Sequence, residues 1–129
     1  MQLTLENPDF RYILRGVSTA GVLVNERLLM TSFILSPMQL IEEWRPCDAA
    51  DLAVEDIAPL LALEPTVILL GSGDRLRFPD ASVIAACLTR GIGIETMDNA
   101  AAARTFNVLA TEGRRVVAAF LLPSNSGAV

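Results

Sequence analysis

The 129-residue chain contains no histidine. That absence removes Ser-His-Asp and Cys-His catalysis, His-ligated zinc, and histidine as a general base. Cysteine is scarce too, with only Cys47 and Cys87, well separated in the chain. Two thiols do not supply the four ligands usual for zinc, so no metal site is expected. Cys87 falls on an apolar helical face and reads as core packing. Cys47, in "WRPCDA", has no adjacent base to activate it. No apolar run approaches the ~20 residues needed to span a bilayer, so an integral membrane protein is not expected. The opening stretch "MQLTLENPDF" has no basic segment and no long apolar one. It reads as neither a secretory signal nor an Arg-rich transit peptide, and a cytoplasmic protein is the expectation. Positive charge is also limited. Ten Lys or Arg against fifteen Asp or Glu leave a formal charge of −5. That argues against wholesale nucleic-acid binding, which relies on many cationic contacts to phosphates. Arg114 and Arg115 are adjacent and leave room for a local basic patch.

What is present suits a compact core. Hydrophobic residues make up 52% and charged residues 19% of the chain, enough for one domain and short for two. The first third reads as strands. "YILRGVS", "GVLVN" and "RLLMTSFILS" are rich in β-branched and large apolar side chains. Short turns at Thr19-Ala20-Gly21 and Asn25-Glu26 separate them, which favours antiparallel neighbours. "QLIEEW" predicts a further short strand. "DAADLAVEDIAPLLAL" then has helix formers with apolar Leu52, Ile57, Leu60 and Leu61. Asp48 or Asp51 is placed to cap a first turn. Pro59 marks either an interruption or the start of a second short helix.

From Thr66 the pattern is strand-helix-strand-helix-strand. "TVILL" is an unbroken apolar run, as in a strand covered on both faces. "DASVIAACLTRG" predicts a helix with Val83, Ile84, Cys87 and Leu88 on one face and Gly91 as its stop. "IGIET" is the next strand. Asp98 caps "NAAAARTFNVLATEG", whose buried face is Ala102, Phe106, Leu109 and Ala110, with Gly113 at its end. "RVVAAFLL" is a final buried strand, and "PSNSGAV" reads as a loose tail. Two successive βαβ units should be parallel. The amino-terminal hairpins must extend that sheet or cover a face. The expected architecture is a three-layer α/β domain with a central mixed sheet, spanning 1–129 with an ordered core at about 10–122.

"ILLGSGDRLRFPD" (Ile68–Asp80) is the most suggestive stretch. Glycines let a backbone approach a ligand closely, and a helix start after a parallel strand favours anions. The detail is wrong for a phosphate loop. There is no Walker Lys-Ser/Thr, and the sixth position of "GSGDRL" is Leu76 rather than glycine. Leu70 stands where G-x-S-x-G needs its first glycine. The preferred reading is that Gly71 and Gly73 turn the chain out of a buried strand. In the alternative, Arg75 and Arg77 clamp an anion. Glu95 and Asp98, three residues apart, form a carboxylate pair suited to acid–base work if a pocket shifts them. The plainer role of Asp98 is a helix cap. Arg104 lies among apolar helix residues, and either pairs with an acid or reaches a groove. Glu112 either pairs with Arg114 or Arg115 or is simply solvated.

"GSGDRLRFPD" followed by "GIGIETMDNAAAARTFNVLATEGRRVVAAFL" closely resembles a small α/β domain family of largely unknown function. The family includes bacterial and archaeal single-domain proteins and the mitochondrial assembly factor 3 of respiratory complex I. The resemblance runs from about Phe10 to Leu122 and is strongest after Thr66. It implies a three-layer domain with a mixed sheet and no established catalysis, and its mitochondrial members act by binding other assembly factors and subunits; protein partners and no cofactor are the expectation. Its signature falls on Gly71, Gly73, Glu95, Met97, Asp98, Arg104, Thr105, Asn107, Glu112, Gly113 and Arg114. Phe106 stands where relatives often have Tyr, so a hydroxyl is missing there.

Two functions fit. The first is a non-catalytic interaction or assembly module that docks a protein partner around Arg104, Asn107 and Arg114. The second is a small-molecule- or anion-binding protein or an enzyme, with its site between the Gly71–Arg77 loop and the helix start at Asp98, Asp98 or Glu95 as the acid–base group and Arg75 or Arg104 as the anion clamp. The first is preferred, and self-association stays open.

Overall fold

Apolar and polar side chains alternate unevenly through the first third of the chain, which folds as short strands. The computed structural model describes residues 11–123, so the expected loose tail lies, from Ser124 onward, outside the described residues. β1 (Leu14–Ser18), β2 (Gly21–Val24) and β3 (Arg27–Leu29) form an antiparallel sheet in that order. The turns fall where glycine and asparagine predict them. Asn25 adopts a φ of +52°, which asparagine tolerates better than most residues. Its carboxamide accepts from the Ile13 amide at 2.9 Å and donates to the Arg11 carbonyl at 3.2 Å.

"RLLMTSFILS" was expected as one strand and is two. β3 ends at Leu29, and β4 (Phe33–Leu35) belongs to a second sheet. Ser32 makes the break possible. Its hydroxyl accepts from the Leu122 amide at 2.9 Å and donates to the Leu122 carbonyl at 3.3 Å. A side chain thus continues the ladder where the backbone changes sheets. β5 (Leu40–Ile41) is all that forms of the "QLIEEW" strand.

The helical stretch that follows is shorter and tighter than the sequence suggests. Two 3₁₀ turns, Ala49–Asp51 and Val54–Ile57, lead into the four-residue helix α1 (Ala58–Leu61). Asp48 caps the first turn, accepting from the Asp51 amide at 2.9 Å. Pro59 sits in the first turn of α1, where its missing N–H would have had no helical partner.

The rest follows the expected order: β6 (Val67–Gly71), α2 (Ala81–Leu88), β7 (Gly93–Met97), α3 (Asn99–Thr111) and β8 (Val116–Phe120). The second sheet runs β5-β4-β8-β6-β7. β6 is parallel to β7 and β8, while β4 is antiparallel to β8 and β5. Gly91 (φ +74°) and Gly113 (φ +77°) end the two long helices. In each, the amide after the glycine donates back into the last turn: Ile92 to Cys87 at 3.1 Å and Arg114 to Leu109 at 2.9 Å. This is the Schellman arrangement, which satisfies carbonyls left open at a helix end.

Strand periodicity sorts the core into two halves. Val116, Ala118, Phe120 and Leu122 join Phe33, Leu35 and Leu69 beneath α3 and the three-stranded sheet. Val117, Ala119 and Leu121 join Ile34, Ile68 and Leu70 beneath α2, α1 and the 3₁₀ turns. The result is the expected three-layer α/β domain with a central mixed sheet. The amino-terminal strands both extend the sheet and cover one face of it. Leu88 departs from expectation, being 58% exposed. Once the buried stripe of α2 centres on Val83 and Cys87, Leu88 lies about 100° round the helix from Cys87.

Outside the core, Arg45 ties the 3₁₀ segment together. It donates to Asp56 through Nε (2.9 Å) and Nη2 (2.6 Å), and to Asp51 through Nη1 (3.0 Å). The Trp44 indole donates to the Asp56 carbonyl at 2.9 Å. The Arg45 hydrogen bonds hold both carboxyls below the usual aspartate range. A lowered folded-state value means stability present above the unfolded value of 3.8 and lost as pH falls through the folded one. The urea midpoint is therefore expected to be steady between about pH 7 and 5 and to drop below about pH 4. Asp56→Asn should flatten that acid limb, and an unchanged limb would show that the clamp does not couple folding to pH. In the same assay Phe120→Ala should cost about 3–5 kcal/mol, and Leu88→Ala less than about 0.5 kcal/mol.

Candidate functional site

The nine sequence-predicted site residues separate into three places. Gly71, Gly73, Arg75, Glu95 and Asp98 lie at or beside the carboxyl ends of β6 and β7. Arg104 and Asn107 face β1 from the middle of α3. Glu112 and Arg114 lie beyond the end of α3.

The first place is where an open α/β sheet usually binds a ligand. α2 follows β6 onto one face and α3 follows β7 onto the other, which opens a crevice between the two strand ends. Here the crevice is closed by its own polar groups. The Ser72 amide donates to the Met97 carbonyl at 2.9 Å, and the Asn99 amide to the Gly73 carbonyl at 2.8 Å. The Asn99 carboxamide accepts from the Gly73 amide at 3.1 Å and donates to the Leu121 carbonyl at 3.1 Å. The Ser72 hydroxyl donates to the Arg75 carbonyl at 2.6 Å and accepts from the Arg77 amide at 3.0 Å. Ser72 and Asn99 are both buried. The amides of Ser72, Gly73, Arg77 and Asn99 are thus engaged and not free to cradle a phosphate.

Gly71 is required by this closure. A Cβ there would stand 2.3 Å from Asn99 Oδ1 and 3.0 Å from the Phe120 ring. Gly73 serves a different need, with a φ of +118° and open space around it. Asp98 caps α3, accepting from the Ala101 amide at 2.8 Å. Asp80 caps α2, accepting from the Ser82 amide (3.0 Å) and hydroxyl (2.6 Å). The hydroxyl bond first, then the amide bond, holds the Asp80 carboxyl below its usual range. The helix start that could have drawn an external anion therefore carries its own carboxylate. Arg75 and Arg77 are exposed, as is Glu95 on the edge strand β7.

At the second place, Asn107 acts as a piece of strand. Its carboxamide accepts from the Leu14 amide at 2.9 Å and donates to the Leu14 carbonyl at 2.7 Å. The pairing sits beside a bulge, where Leu14 faces Val24 but Gly16 faces Leu23, leaving Arg15 as the extra residue. Arg104, Arg15 and Asn107 line a depression of about 280 Å³ between β1 and α3. Arg15 was missed by the sequence reading. The signal was there, because a glycine inside a strand pattern, Gly16, often marks a bulge.

At the third place Arg114 approaches Glu112 only at 4.0 Å, while Arg115 pairs with Glu64 at 3.1 Å. Both arginines border a larger open depression of about 490 Å³ with Met38 and Gln39. Phe106 is fully enclosed. Cys87 is buried, which pushes its thiol pKa up. Among the described residues no cluster of three or more His, Cys, Asp or Glu could hold a metal. No described helix is long and apolar enough to cross a membrane.

Residues 14–121 match a family described as protein of unknown function (DUF498/DUF598). The chain belongs to that family. It is 32% identical to the bovine NADH dehydrogenase [ubiquinone] 1 alpha subcomplex assembly factor 3, over 97% of this chain and 67% of the bovine protein. The chain spans about two thirds of the length of such relatives, 66% for the Xenopus tropicalis factor. Among solved structures, a Xanthomonas campestris protein is 52% identical with a TM-score of 0.81, covering 95% of this chain and 92% of that one. A Bordetella pertussis protein, described as a Mth938-like domain, is 26% identical with a TM-score of 0.79 and covers 100% and 98%.

The crevice closure gives a direct test. Asn99→Ala strips partners from the Gly73 amide and the Leu121 carbonyl and should cost about 2–4 kcal/mol. Asp98→Ala removes only a cap, at about 1 kcal/mol. Equal losses in urea denaturation would show that Asn99 is no more than another helix-start residue.

Proposed function

We propose that the chain is a non-catalytic interaction module that serves the assembly of a larger protein complex. The observation that carries this reading is the 32% identity to the bovine assembly factor across 97% of the chain. Physical chemistry supports it from another side. There is no histidine, and the polar groups at the sheet's usual ligand position satisfy one another. Charged candidate residues that stay outward-facing include Arg75, Arg104 and Arg114, with Glu95 and Glu112. Such a surface suits recognition of another macromolecule better than turnover of a substrate. The name of the relatives points to subunits of a respiratory NADH dehydrogenase as the partners to look for. A cytoplasmic location is part of the proposal.

The test is a crosslinked pull-down from the source cell, with soluble and membrane fractions kept apart and read by mass spectrometry. Reproducible enrichment of respiratory subunits or other assembly proteins is expected. It should fall at least about tenfold with Arg104→Glu and Arg114→Glu combined, folding retained. An unchanged set of partners would sink the docking role of those two residues. No enrichment at all would sink the interaction reading.

A further inference from the structure

The depression between β1 and α3 is built rather than incidental. The Asn107 carboxamide locks Leu14 to the helix through two hydrogen bonds of 2.9 and 2.7 Å. The bulge that follows inserts Arg15 into the strand, and bulges commonly re-aim a side chain. Arg104 borders the same depression from α3. Its floor is kept low by small residues. A Cβ added at Gly16 would meet nothing within 4 Å, and Ala100 and Ala103 line the helix side. β1 is an edge strand of its sheet.

The charges are unbalanced in a specific way. All ten cationic residues of the chain are arginine. Four of them, Arg27, Arg45, Arg114 and Arg115, form ion pairs. Arg11, Arg15, Arg75, Arg77, Arg90 and Arg104 form none among the described residues, and of these Arg15 and Arg104 line this groove together. Two guanidinium groups with no carboxylate partner among the described residues therefore stand beside one groove. A guanidinium fork matches a carboxylate better than an ammonium does.

We propose that this groove is the docking site for an acidic segment of a partner protein, with Arg15 and Arg104 receiving its carboxylates. The inference rests on the interaction reading above and gives that partner a chemistry. Size agrees with it. At about 280 Å³ the groove is open and below the roughly 300–1,000 Å³ typical of small-molecule pockets. Small-residue walls admit an extended chain lying along β1, and the arginines fix its register. The overall charge of −5 disfavours an acidic partner over most of the surface, so clustered arginines such as these have to supply the attraction.

The experiment uses the full-length ¹⁵N-labelled protein and a synthetic peptide of alternating Glu and Leu, with a Gln-for-Glu peptide as control. The acidic peptide should shift the amide signals of Arg15, Gly16, Val17, Ala100 and Arg104, and bind more weakly as salt rises. Arg15→Glu combined with Arg104→Glu should weaken it by about tenfold or more. Gly16→Leu, which leaves both cations in place, should also weaken it by filling the groove. Shifts that the Gln peptide reproduces, shifts that fall elsewhere, or no shift at millimolar peptide would overturn the proposal. So would groove shifts produced only by phosphatidylglycerol vesicles or single-stranded DNA, or by comparing the protein with and without residues 1–10. A photo-crosslinker at Val17, with others at Leu88 and Val108, separates the two readings in the source cell. Capture at Val17 of an identified peptide rich in Asp and Glu supports the groove. Capture only at Leu88 or Val108 overturns the groove and leaves the interaction reading standing. Capture at none of the three overturns the groove, and the interaction reading then falls only if the pull-down described above also enriches nothing.

Discussion

One strand sits where every layer meets. From Val116 to Leu122 each residue is buried, and β8 lies between β4 and β6 in the middle of the five-stranded sheet. Its odd and even residues feed separate cores on the two faces. Ala118 and Ala119 keep the layers close at its centre. Phe120 then stacks on Phe33, ring centres 5.0 Å apart. The amino-terminal strands have no other route into the sheet, since β4 pairs only with β8 and the two-residue β5. The strand also reaches the crevice: the Leu121 amide donates to the Gly71 carbonyl at 2.9 Å, and the Leu121 carbonyl receives Asn99 at 3.1 Å.

Several positions of the resemblance signature have internal roles that explain why their chemistry is specific. Gly71 leaves room for Asn99. Asp98 begins α3, and Gly113 allows its last turn to close. Thr105 bonds back to the Ala101 carbonyl at 2.9 Å. Asn107 substitutes for a strand neighbour of Leu14. A carboxamide is suited to both places because it donates and accepts along parallel directions, as a peptide unit does. Arg104 stands apart from this group, since nothing in the described fold uses its charge.

The carboxyl-terminal half was readable because its signals are local. Unbroken apolar runs mark strands covered on both faces, and Asp98, Gly91 and Gly113 bracket helices by known capping chemistry. The break between β3 and β4 was not readable. It depends on Ser32 meeting Leu122, 90 positions away, and no local propensity encodes that contact. The helical reading of "DAADLAVEDIAPLLAL" failed in part for a similar reason. Arg45 and Asp56 hold tight turns that helix formers alone would not choose. At the candidate sites, residue types were visible but their partners were not. Asn107 reads as a polar surface residue until β1 is laid against it, and Arg15 looks like any exposed strand arginine until the bulge is seen.

The position of β8 also sets an order of events during synthesis. Among the described strands, the one that both cores require is the last in the chain. Until it emerges, β4 and β5 form at most a two-stranded edge with Ile34 and Phe33 uncovered, and an isolated hairpin is at best marginally stable in water. The contacts joining β4 to β8 link partners as far apart as Phe33 and Phe120, so loop closure comes before most of the stabilising burial. Folding of this domain is therefore a late, nearly all-at-once event. Its nascent chain carries the apolar strands β4 and β6 before β8 is there to pair with them.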